Sequence, residues 1–310
     1  MTELPSEYLK YPRRKYGMDH KFYDWSIMQY RPKFQWQHGK QVTVFINLNL
    51  EFFPLDQKKH PFQAPGGMKM PYPDLRHFTL RDYGNRVGIY RLLEVTDRLD
   101  IKPSFSINGQ MVDRHPLLIK EIKKRDAEII AHGWSMNCPH YGGMERELEL
   151  EYIRATKARL ETCFEKEVTG WLSPGKSQSE NTPDLLVESG FSFMMDWVND
   201  ELPYPFNTKK GGIVSFPLST EIEDRFVLLN NLHSESEWVE QVMDSYKFLY
   251  EEAKQEECGR LLTLNIHPWI LGQAHRAKYF EQTLSYLKDQ EEVCFASAQS
   301  IIKMIGLGFE

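Results

Sequence analysis

The sequence predicts an α/β fold: a single domain built as a distorted (β/α) barrel of about seven strands. Short apolar segments alternate with longer segments of helical periodicity, which is the pattern of parallel βα units. No Gly-x-Gly-x-x-Gly fingerprint of an open dinucleotide-binding sheet is present, so a barrel is favoured. The chain has 310 residues, and barrels of this kind run to about 250 residues or more as one domain.

The first strand is predicted at 42–48, where the β-branched, apolar run Val-Thr-Val-Phe-Ile-Asn-Leu is typical of a buried parallel strand. By the same pattern, further strands are predicted at 103–107, 128–132, 168–172, 191–196, 212–218, 225–229, 261–266 and 293–296. Helices are predicted at 83–98, 113–125, 145–164, 181–189, 235–254, 274–288 and 298–305. These elements place the barrel at residues 41–310.

Two segments lack regular periodicity. Residues 1–40 are polar and rich in aromatic residues, a poor composition for a free tail, and are predicted to form an N-terminal arm packed on the barrel. Residues 52–82 form a long connection with five prolines directly after the first strand. Connections of that length inside a domain are usually functional, which predicts an active-site loop.

The composition excludes several functional classes. A net charge of −6 and a pI near 6.0 give no excess of positive charge for nucleic acid or an anionic membrane. The four cysteines form no Cys-x-x-Cys pair, which excludes a zinc finger and disfavours a disulfide framework. No signal peptide or apolar span is visible, so a cytoplasmic location is expected. The aromatic arm and the long loop favour a homo-oligomer.

Polar residues stand where the predicted strands end. In a βα barrel the carboxyl ends of the strands surround the active site. The strand-end residues are Asn49, Glu51, Asn108, His132, Ser173, Asp196 and His267. We therefore expect these residues, although distant in sequence, to meet in one pocket.

Three of these residues have side chains suited to acid–base chemistry. Glu51 lies between an apolar strand and two phenylalanines, so desolvation is expected to raise its pKa and suit it to a general base. His132 and His267 each end an apolar strand, where a histidine serves as a metal ligand, an acid–base group or a packed core residue. His140 is predicted to be a loop histidine.

These segments together resemble the polysaccharide deacetylase family, carbohydrate esterase family 4. The segment from His132 to Ser135 is similar to the family's metal-histidine motif, Gly170–Gly175 to its Gly-aromatic-Arg-x-Pro motif, and Leu264–Trp269 to its terminal histidine motif. The resemblance implies a distorted (β/α) barrel. It also implies hydrolysis of N-acetyl groups with a divalent metal held by one Asp and two His.

The sequence departs from the family pattern at three places. Met136 stands four residues after His132, where metal-binding members have their second histidine. Asn49 and Glu51 replace the acidic pair after the first strand, and Leu172 replaces an arginine. A thioether is a poor partner for a site built of oxygen and nitrogen ligands. These departures predict that the family's metal site is absent and that no cofactor is needed.

With these departures, the sequence resembles the cofactor-independent allantoinase and cyclic imide hydrolase branch of the family. The matching motifs are Leu48-Asn49-Leu50-Glu51, His132-Gly133-Trp134, Tyr83-Gly84-Asn85-Arg86, Asn199–Tyr204 and Tyr11-Pro12-Arg13. Members of this branch open cyclic ureides or cyclic imides. The resemblance therefore implies a hydrolase of non-peptide C–N bonds whose substrate is a small cyclic amide.

This chemistry assigns roles to the predicted site. Ring opening needs a base for water, donors for the oxyanion and an acid for the leaving nitrogen. Glu51 is predicted to be the base, with His132 and His267 orienting the substrate and transferring protons. Substrate contacts are predicted for Asn49, Asn108, Ser173 and Asp196, and for Trp134 and Trp269 as the walls of the pocket. Arg86 is predicted either to contact the substrate or to form a structural ion pair.

Two alternatives stay open at this stage. The first is a metal-dependent amino-sugar N-deacetylase, with Glu51, His132 and His140 as metal ligands. The second is a pseudoenzyme that binds a ligand without turnover, since a lost metal triad is also how pseudoenzymes arise. Sensitivity to chelators tests the first alternative, and binding without turnover would indicate the second.

Overall fold

The interior of the fold is built around its first strand, β1 (Val42–Leu50), in which all nine residues are buried. The apolar, β-branched composition of this strand suits burial on both faces of a parallel sheet. The structure is a computed structural model that describes residues 20–24, 26–55 and 75–307. In these residues β1 pairs with three other strands of the sheet.

The sheet of the described residues has nine strands. After β1 come β2 (Ser104–Ile107), β3 (Ile129–Ala131), β4 (Gly170–Trp171), β5 (Phe193–Met194), β6 (Tyr204–Thr208), β7 (Gly211–Ser215), β8 (Arg260–Ile266) and β9 (Val293–Phe295). The strand order is β6-β7-β5-β4-β3-β2-β1-β8, and β9 pairs with the first residues of β1. The pairs are parallel except for the β6–β7 hairpin.

Helices cover the connections between the strands. They are α1 (Arg76–Tyr83), α2 (Ile89–Arg98), α3 (Met111–Arg114), α4 (Pro116–Lys123), α5 (Arg146–Phe164), α6 (Thr182–Glu188), α7 (Glu235–Glu256), α8 (Pro268–Leu271), α9 (Ala277–Lys288) and α10 (Ala298–Met304). A π-helical turn, Gly84–Gly88, joins α1 to α2. Among the described residues, no helix is both long enough and apolar enough to cross a membrane.

The predicted α/β single-domain fold is confirmed, with the barrel distorted into a curled sheet whose path ends at β6 and β8. One predicted strand is wrong: residues 225–229 contribute to a π-helical turn, Phe226–Asn230, that buries Val227 and Leu228. A short apolar run does not distinguish a strand from a buried helical turn. Strand β6 was not predicted, because Pro203 and Pro205 obscure its alternation.

The described part of the N-terminal arm contacts the body of the protein. Trp36 is 2% exposed, and its Nε1 donates a hydrogen bond to the backbone oxygen of Arg260 at 2.9 Å. Arg31 donates two hydrogen bonds to the carboxylate of Asp200, at 2.6 and 2.8 Å. The arm boundaries at 1–40 stay a prediction, since residues 1–19 lie outside the described residues, as does 56–74 of the predicted loop.

The turn between α1 and α2 packs directly on α8, the helix that follows the strand-end residue His267. A Cβ atom on Gly88 would overlap the backbone carbonyl of Pro268, so only glycine permits this approach. We expect Gly88→Ala to lower the free energy of unfolding by about 1–3 kcal/mol through overpacking. Urea unfolding measures this, with Gly142→Ala as the control, because a Cβ there meets nothing within 4 Å. Equal stability of the two variants would contradict the packing argument.

Candidate active site

A cavity of about 310 Å³ opens at the carboxyl ends of the parallel strands. Its volume is at the lower end of the range for small-molecule sites. Its lining consists of Asn49, Glu51, His132, Leu172, Ser173, Gly175, Lys176, Asp196, Val198, Thr220, Glu223, Arg225, Asn265 and His267. The structure thus brings together six of the seven predicted strand-end residues.

Two histidines face one carboxylate oxygen in this cavity. Glu51 directly follows β1, and its Oε1 lies 3.8 Å from Nε2 of His132 and 4.0 Å from Nε2 of His267. All three side chains are at most 7% exposed. The backbone of the segment is held from both sides, because Asn85 donates to the Glu51 carbonyl and Asn108 accepts from the Phe52 amide. These two hydrogen bonds therefore fix the backbone segment that carries Glu51.

Both imidazole rings are oriented through their Nδ1 atoms. Nδ1 of His132 lies 2.8 Å from the backbone oxygen of Leu172, which only accepts, so Nδ1 carries the proton. Nδ1 of His267 lies 2.7 Å from Oδ1 of Asp224, whose other oxygen accepts the His267 amide at 2.8 Å. These contacts leave both Nε2 atoms facing Glu51.

The charges of these groups depend on one another. Burial alone would raise the pKa of Glu51, but the adjacent His132 and the charges of His267 and Arg225 outweigh it and lower that pKa to about 2. The predicted rise in the pKa of Glu51 is therefore wrong. Burial favours neutral His267, but Asp224 and the other nearby carboxylates outweigh it and raise its pKa. Glu51 is thus a carboxylate at neutral pH.

The raised pKa of His267 predicts a pH-dependent stability. Its contribution is complete below its unfolded-state value of about 6.5 and is lost as the pH rises through the folded-state value. The difference in unfolding free energy between the wild type and His267→Gln should therefore shrink as the pH rises above about 6.5. Urea unfolding at several pH values checks this. A difference that grows with pH would contradict it, and the exposed His275→Gln is the control.

A chain of buried amides supports the cavity from below. Asn49 donates to the side-chain oxygen of Asn265 at 2.8 Å and to the backbone oxygen of Ile266 at 3.0 Å. Asn265 in turn donates to Oε2 of Glu223 at 2.9 Å. These bonds occupy both amide protons of Asn49, which leaves its position on the cavity wall fixed.

Ser173 and Asp196 form a second polar wall. The carboxylate of Asp196 accepts from the amide and the hydroxyl of Ser173, at 2.7 and 2.8 Å, and from Gln178 at 2.6 Å. Burial raises the pKa of Asp196 despite these hydrogen bonds. The pair therefore presents ordered polar atoms to a bound molecule.

Sequence reasoning missed a charged segment that completes the cavity. Glu223 and Asp224 lie just before the misassigned strand 225–229, Arg225 is its first residue, and Asp224 orients His267. Lys176, which directly follows the Gly170–Gly175 motif, donates to Glu223 at 3.1 Å. A run of three charged residues beside an apolar segment was the available signal.

Arg86 and Asn108 were predicted to bind substrate, and neither lines the cavity. The side chain of Arg86 is 75% exposed and lies 3.7 Å from Asp82, the structural ion pair considered above. Arg81, one helical turn and a half earlier, is the arginine that faces inward, with its guanidinium over the rings of Phe53 and Trp269. Asn108 instead bonds the backbones that follow β1 and β3.

The two predicted tryptophan walls also lie outside the cavity lining. Trp134 packs on Gly109, where any Cβ atom would collide with the indole ring. Trp269 is 7% exposed and lies beside His267, with ring centroids 6.3 Å apart. Trp269 therefore supports the histidine, and neither indole is placed to stack on a ligand in this cavity.

The residues present do not fit the metal of the resembled family. Met136, at the position of the second histidine, is 1% exposed, and its backbone amide bonds to Phe52. His140, the third ligand of the alternative set, instead pairs with buried Glu149 at 2.8 Å. Within 20–24, 26–55 and 75–307, no three His, Cys, Asp or Glu side chains are grouped to hold a metal ion.

Comparison with known proteins agrees with this architecture. Residues 80–194 match the family model of polysaccharide deacetylases. A Schizosaccharomyces pombe protein assigned to the polysaccharide deacetylases is 21% identical over 86% of this chain and 90% of its own. The crystal structure of Puue allantoinase superposes with a TM-score of 0.76 at 22% identity, over 88% of this chain and 93% of that one. A Pseudomonas aeruginosa PAO1 protein, also assigned to the polysaccharide deacetylases, gives 0.75 at 21%, over 88% and 94%.

The predicted resemblance to the polysaccharide deacetylase family is confirmed over residues 80–194, which match its family model. The matched segment contains His132 and Ser173 but neither Glu51 nor His267. The two solved structures are less than 25% identical to the chain, so they establish its fold. Roles for the cavity residues therefore rest on the geometry of the site.

Proposed function

We propose that this chain is a C–N hydrolase that opens a cyclic ureide or cyclic imide without the metal triad of its family. The observation that carries the proposal is the single Glu51 oxygen that faces Nε2 of both His132 and His267. One of the solved structures that superpose on the chain is that of an allantoinase. The missing second histidine at Met136 favours chemistry that the side chains themselves perform.

The spacing of these groups suits a nucleophilic water. Distances of 3.8 and 4.0 Å are too long for direct hydrogen bonds and fit one bridging water molecule. Glu51 is ionised, and its carboxylate accepts a hydrogen bond from that water. Nε2 of His132 presents a lone pair to the other proton, because its Nδ1 proton is held by Leu172. The water oxygen is thereby directed at a carbonyl carbon.

In the proposed reaction, His132 is the base and Glu51 is its partner. An imidazole accepts a proton near neutral pH better than a carboxylate with a pKa of about 2. As the water attacks, His132 gains the proton and the Glu51 carboxylate stabilises the imidazolium. Protonated His267 then supplies a proton to the leaving nitrogen as the ring C–N bond breaks. The products are one carboxyl group and one amide or ureide nitrogen on the opened chain.

The ring explains how this chemistry proceeds with side chains alone. Imide and ureide nitrogens are better leaving groups than an acetamide nitrogen, whose hydrolysis usually enlists a Lewis acid. A cavity of about 310 Å³ also suits one small ring more closely than a polysaccharide chain. The side-chain oxygens of Asn49, Ser173 and Asp196 supply hydrogen-bond acceptors for the N–H groups of such a ring.

The test is a substrate panel measured by mass spectrometry. The panel contains allantoin, hydantoin, dihydrouracil, succinimide and N-acetylglucosamine oligomers, each with the wild-type protein and with His132→Gln. We expect a product heavier by one water from at least one ring, and its loss in the variant. The exposed His275→Gln is the matched control.

Three outcomes decide between the alternatives. Ring opening by the wild type and by His275→Gln, but not by His132→Gln, supports the proposal. Release of acetate from the acetylated sugars would favour the deacetylase alternative and contradict the proposal. Saturable binding of a ring with no product from any substrate would favour the pseudoenzyme alternative. A further solved structure of similar fold is described as a pseudoenzyme.

A further inference from the structure

Arg225 occupies a fixed position at the edge of the cavity. It directly follows Asp224, the residue that orients His267, and its backbone amide donates to Oδ1 of Asp224 at 2.7 Å. The side chain of Arg225 is 37% exposed, whereas those of Glu51, His132 and His267 are at most 7% exposed. The guanidinium therefore lies toward the mouth of the cavity, above the buried reactive groups.

The guanidinium of Arg225 has no hydrogen-bond acceptor among the described residues. Its nearest carboxylate oxygen is Oε1 of Glu223, at 3.7 Å from Nε. Charge-assisted hydrogen bonds are about 2.7–2.9 Å long, so this contact is an ion pair without a hydrogen bond. A side chain with five donors thus faces the cavity with its donors available.

The other charged groups of the cavity already have partners. Lys176 donates to Glu223, to the hydroxyl of Thr220 and to the backbone oxygen of Leu218. Asp196 accepts three hydrogen bonds and Asp224 pairs with His267. Among the residues that line the cavity, Arg225 is therefore the cation suited to an incoming anion.

The cavity adjoins further open space that fits a ring substituent. A larger groove of about 790 Å³ shares the wall residues Val198 and Thr220 with the cavity. A ring whose carbonyl lies at the Glu51 centre would direct a substituent past the mouth into this groove. The guanidinium lies on the rim of the cavity, where such a substituent leaves it.

We propose that Arg225 is a specificity-determining residue that binds a carboxylate on the substrate, so that the substrate class is a cyclic ureide or imide bearing an anionic side group. This inference rests on the ring-opening function proposed above. The planar fork of an arginine matches a carboxylate with two parallel hydrogen bonds, which a neutral substituent cannot reproduce. Arg225 thereby selects among rings, while the buried groups perform the reaction.

The test compares two ligands that differ in charge and little in shape: hydantoin-5-acetate and its carboxamide. Binding to Glu51→Gln, which slows turnover, is measured by calorimetry. We expect the anionic ligand to bind about tenfold or more tightly than the carboxamide. Adding Arg225→Met should abolish that preference, Arg225→Lys should keep part of it, and Arg86→Met, an exposed arginine outside the cavity, should leave it unchanged.

The outcomes separate this inference from the proposed function. Equal binding of the two ligands, or a preference that survives Arg225→Met, would overturn the role of Arg225 even if the wild type opens rings. An Arg225→Met variant that weakens both ligands equally would place Arg225 on the ring itself, and would also overturn it. If the wild type opens no ring but shows the charge preference, the proposed reaction fails and the anion site stands.

Discussion

Replacing Glu51 by glutamine is expected to lower kcat/KM for ring opening by about 10²–10³-fold. The variant keeps the size of the side chain but loses the charge that stabilises the His132 imidazolium. Its amide also donates toward one of the two histidines, which disturbs the position of the water. The loss should fall mainly on kcat, because the carboxylate acts most strongly when the positive charge forms. Steady-state kinetics on the best ring of the panel measures it.

The pH profile separates Glu51 from the base. Since its pKa is about 2, Glu51 stays ionised across the assay range and should not set the acidic limb of the profile. The acidic limb should therefore remain in Glu51→Gln. The exposed Glu94→Gln is the control for a charge change of the same kind. A Glu51→Gln variant within about threefold of the wild type would remove Glu51 from the mechanism.

The second large effect is expected for Asp224→Asn. Asp224 is fully buried, and it holds Nδ1 of His267 and raises the pKa of that ring. An asparagine offers an amide donor as well as an acceptor, so the ring loses its fixed orientation and its positive charge. We expect kcat to fall by about 10²–10⁴-fold, the range found for the carboxylate partners of catalytic histidines. Asp244→Asn, an exposed residue of α7, is the matched control.

The basic limb of the pH profile identifies the cause of that loss. If His267 is the acid, Asp224→Asn should move the basic limb of kcat to lower pH, because the neutral ring becomes favoured. A variant that has merely lost stability would show a lower melting temperature and an unchanged limb. An unmoved limb together with nearly normal kcat would show that His267 is not the acid.

Most of the correct predictions from the sequence follow from one rule: polar residues that end parallel strands meet on the same side of the sheet. Glu51, His132 and His267 lie about 80 and 135 residues apart in sequence, yet each follows a buried parallel strand, and such strands end on the same side of a sheet. Local composition therefore placed the reactive groups without any knowledge of their contacts. The same rule correctly brought Asn49, Ser173 and Asp196 to the cavity.

Contacts between distant segments could not be predicted in this way. The pKa of Glu51 depends on two histidines and an arginine whose side chains converge only in the folded chain. A local argument from burial predicted the opposite direction. Arg225 was assigned to the predicted strand 225–229 and Asp224 to the connection before it, so the charged run 223–225 was the one local signal that they belong to the site. Arg86 was predicted to face the site, whereas Arg81 of α1 faces inward. The predicted helix began at residue 83, but α1 begins at Arg76.

Ring opening by metal-stripped protein tests the central claim most directly. Protein purified without a histidine tag is dialysed against a chelator until elemental mass spectrometry shows less than about a tenth of an equivalent of any transition metal. The rate of ring opening is then measured before and after addition of zinc, nickel or cobalt. The account predicts full activity in the stripped protein and no gain from added metal. Activity that disappears with the metal and returns in proportion to it would contradict the account.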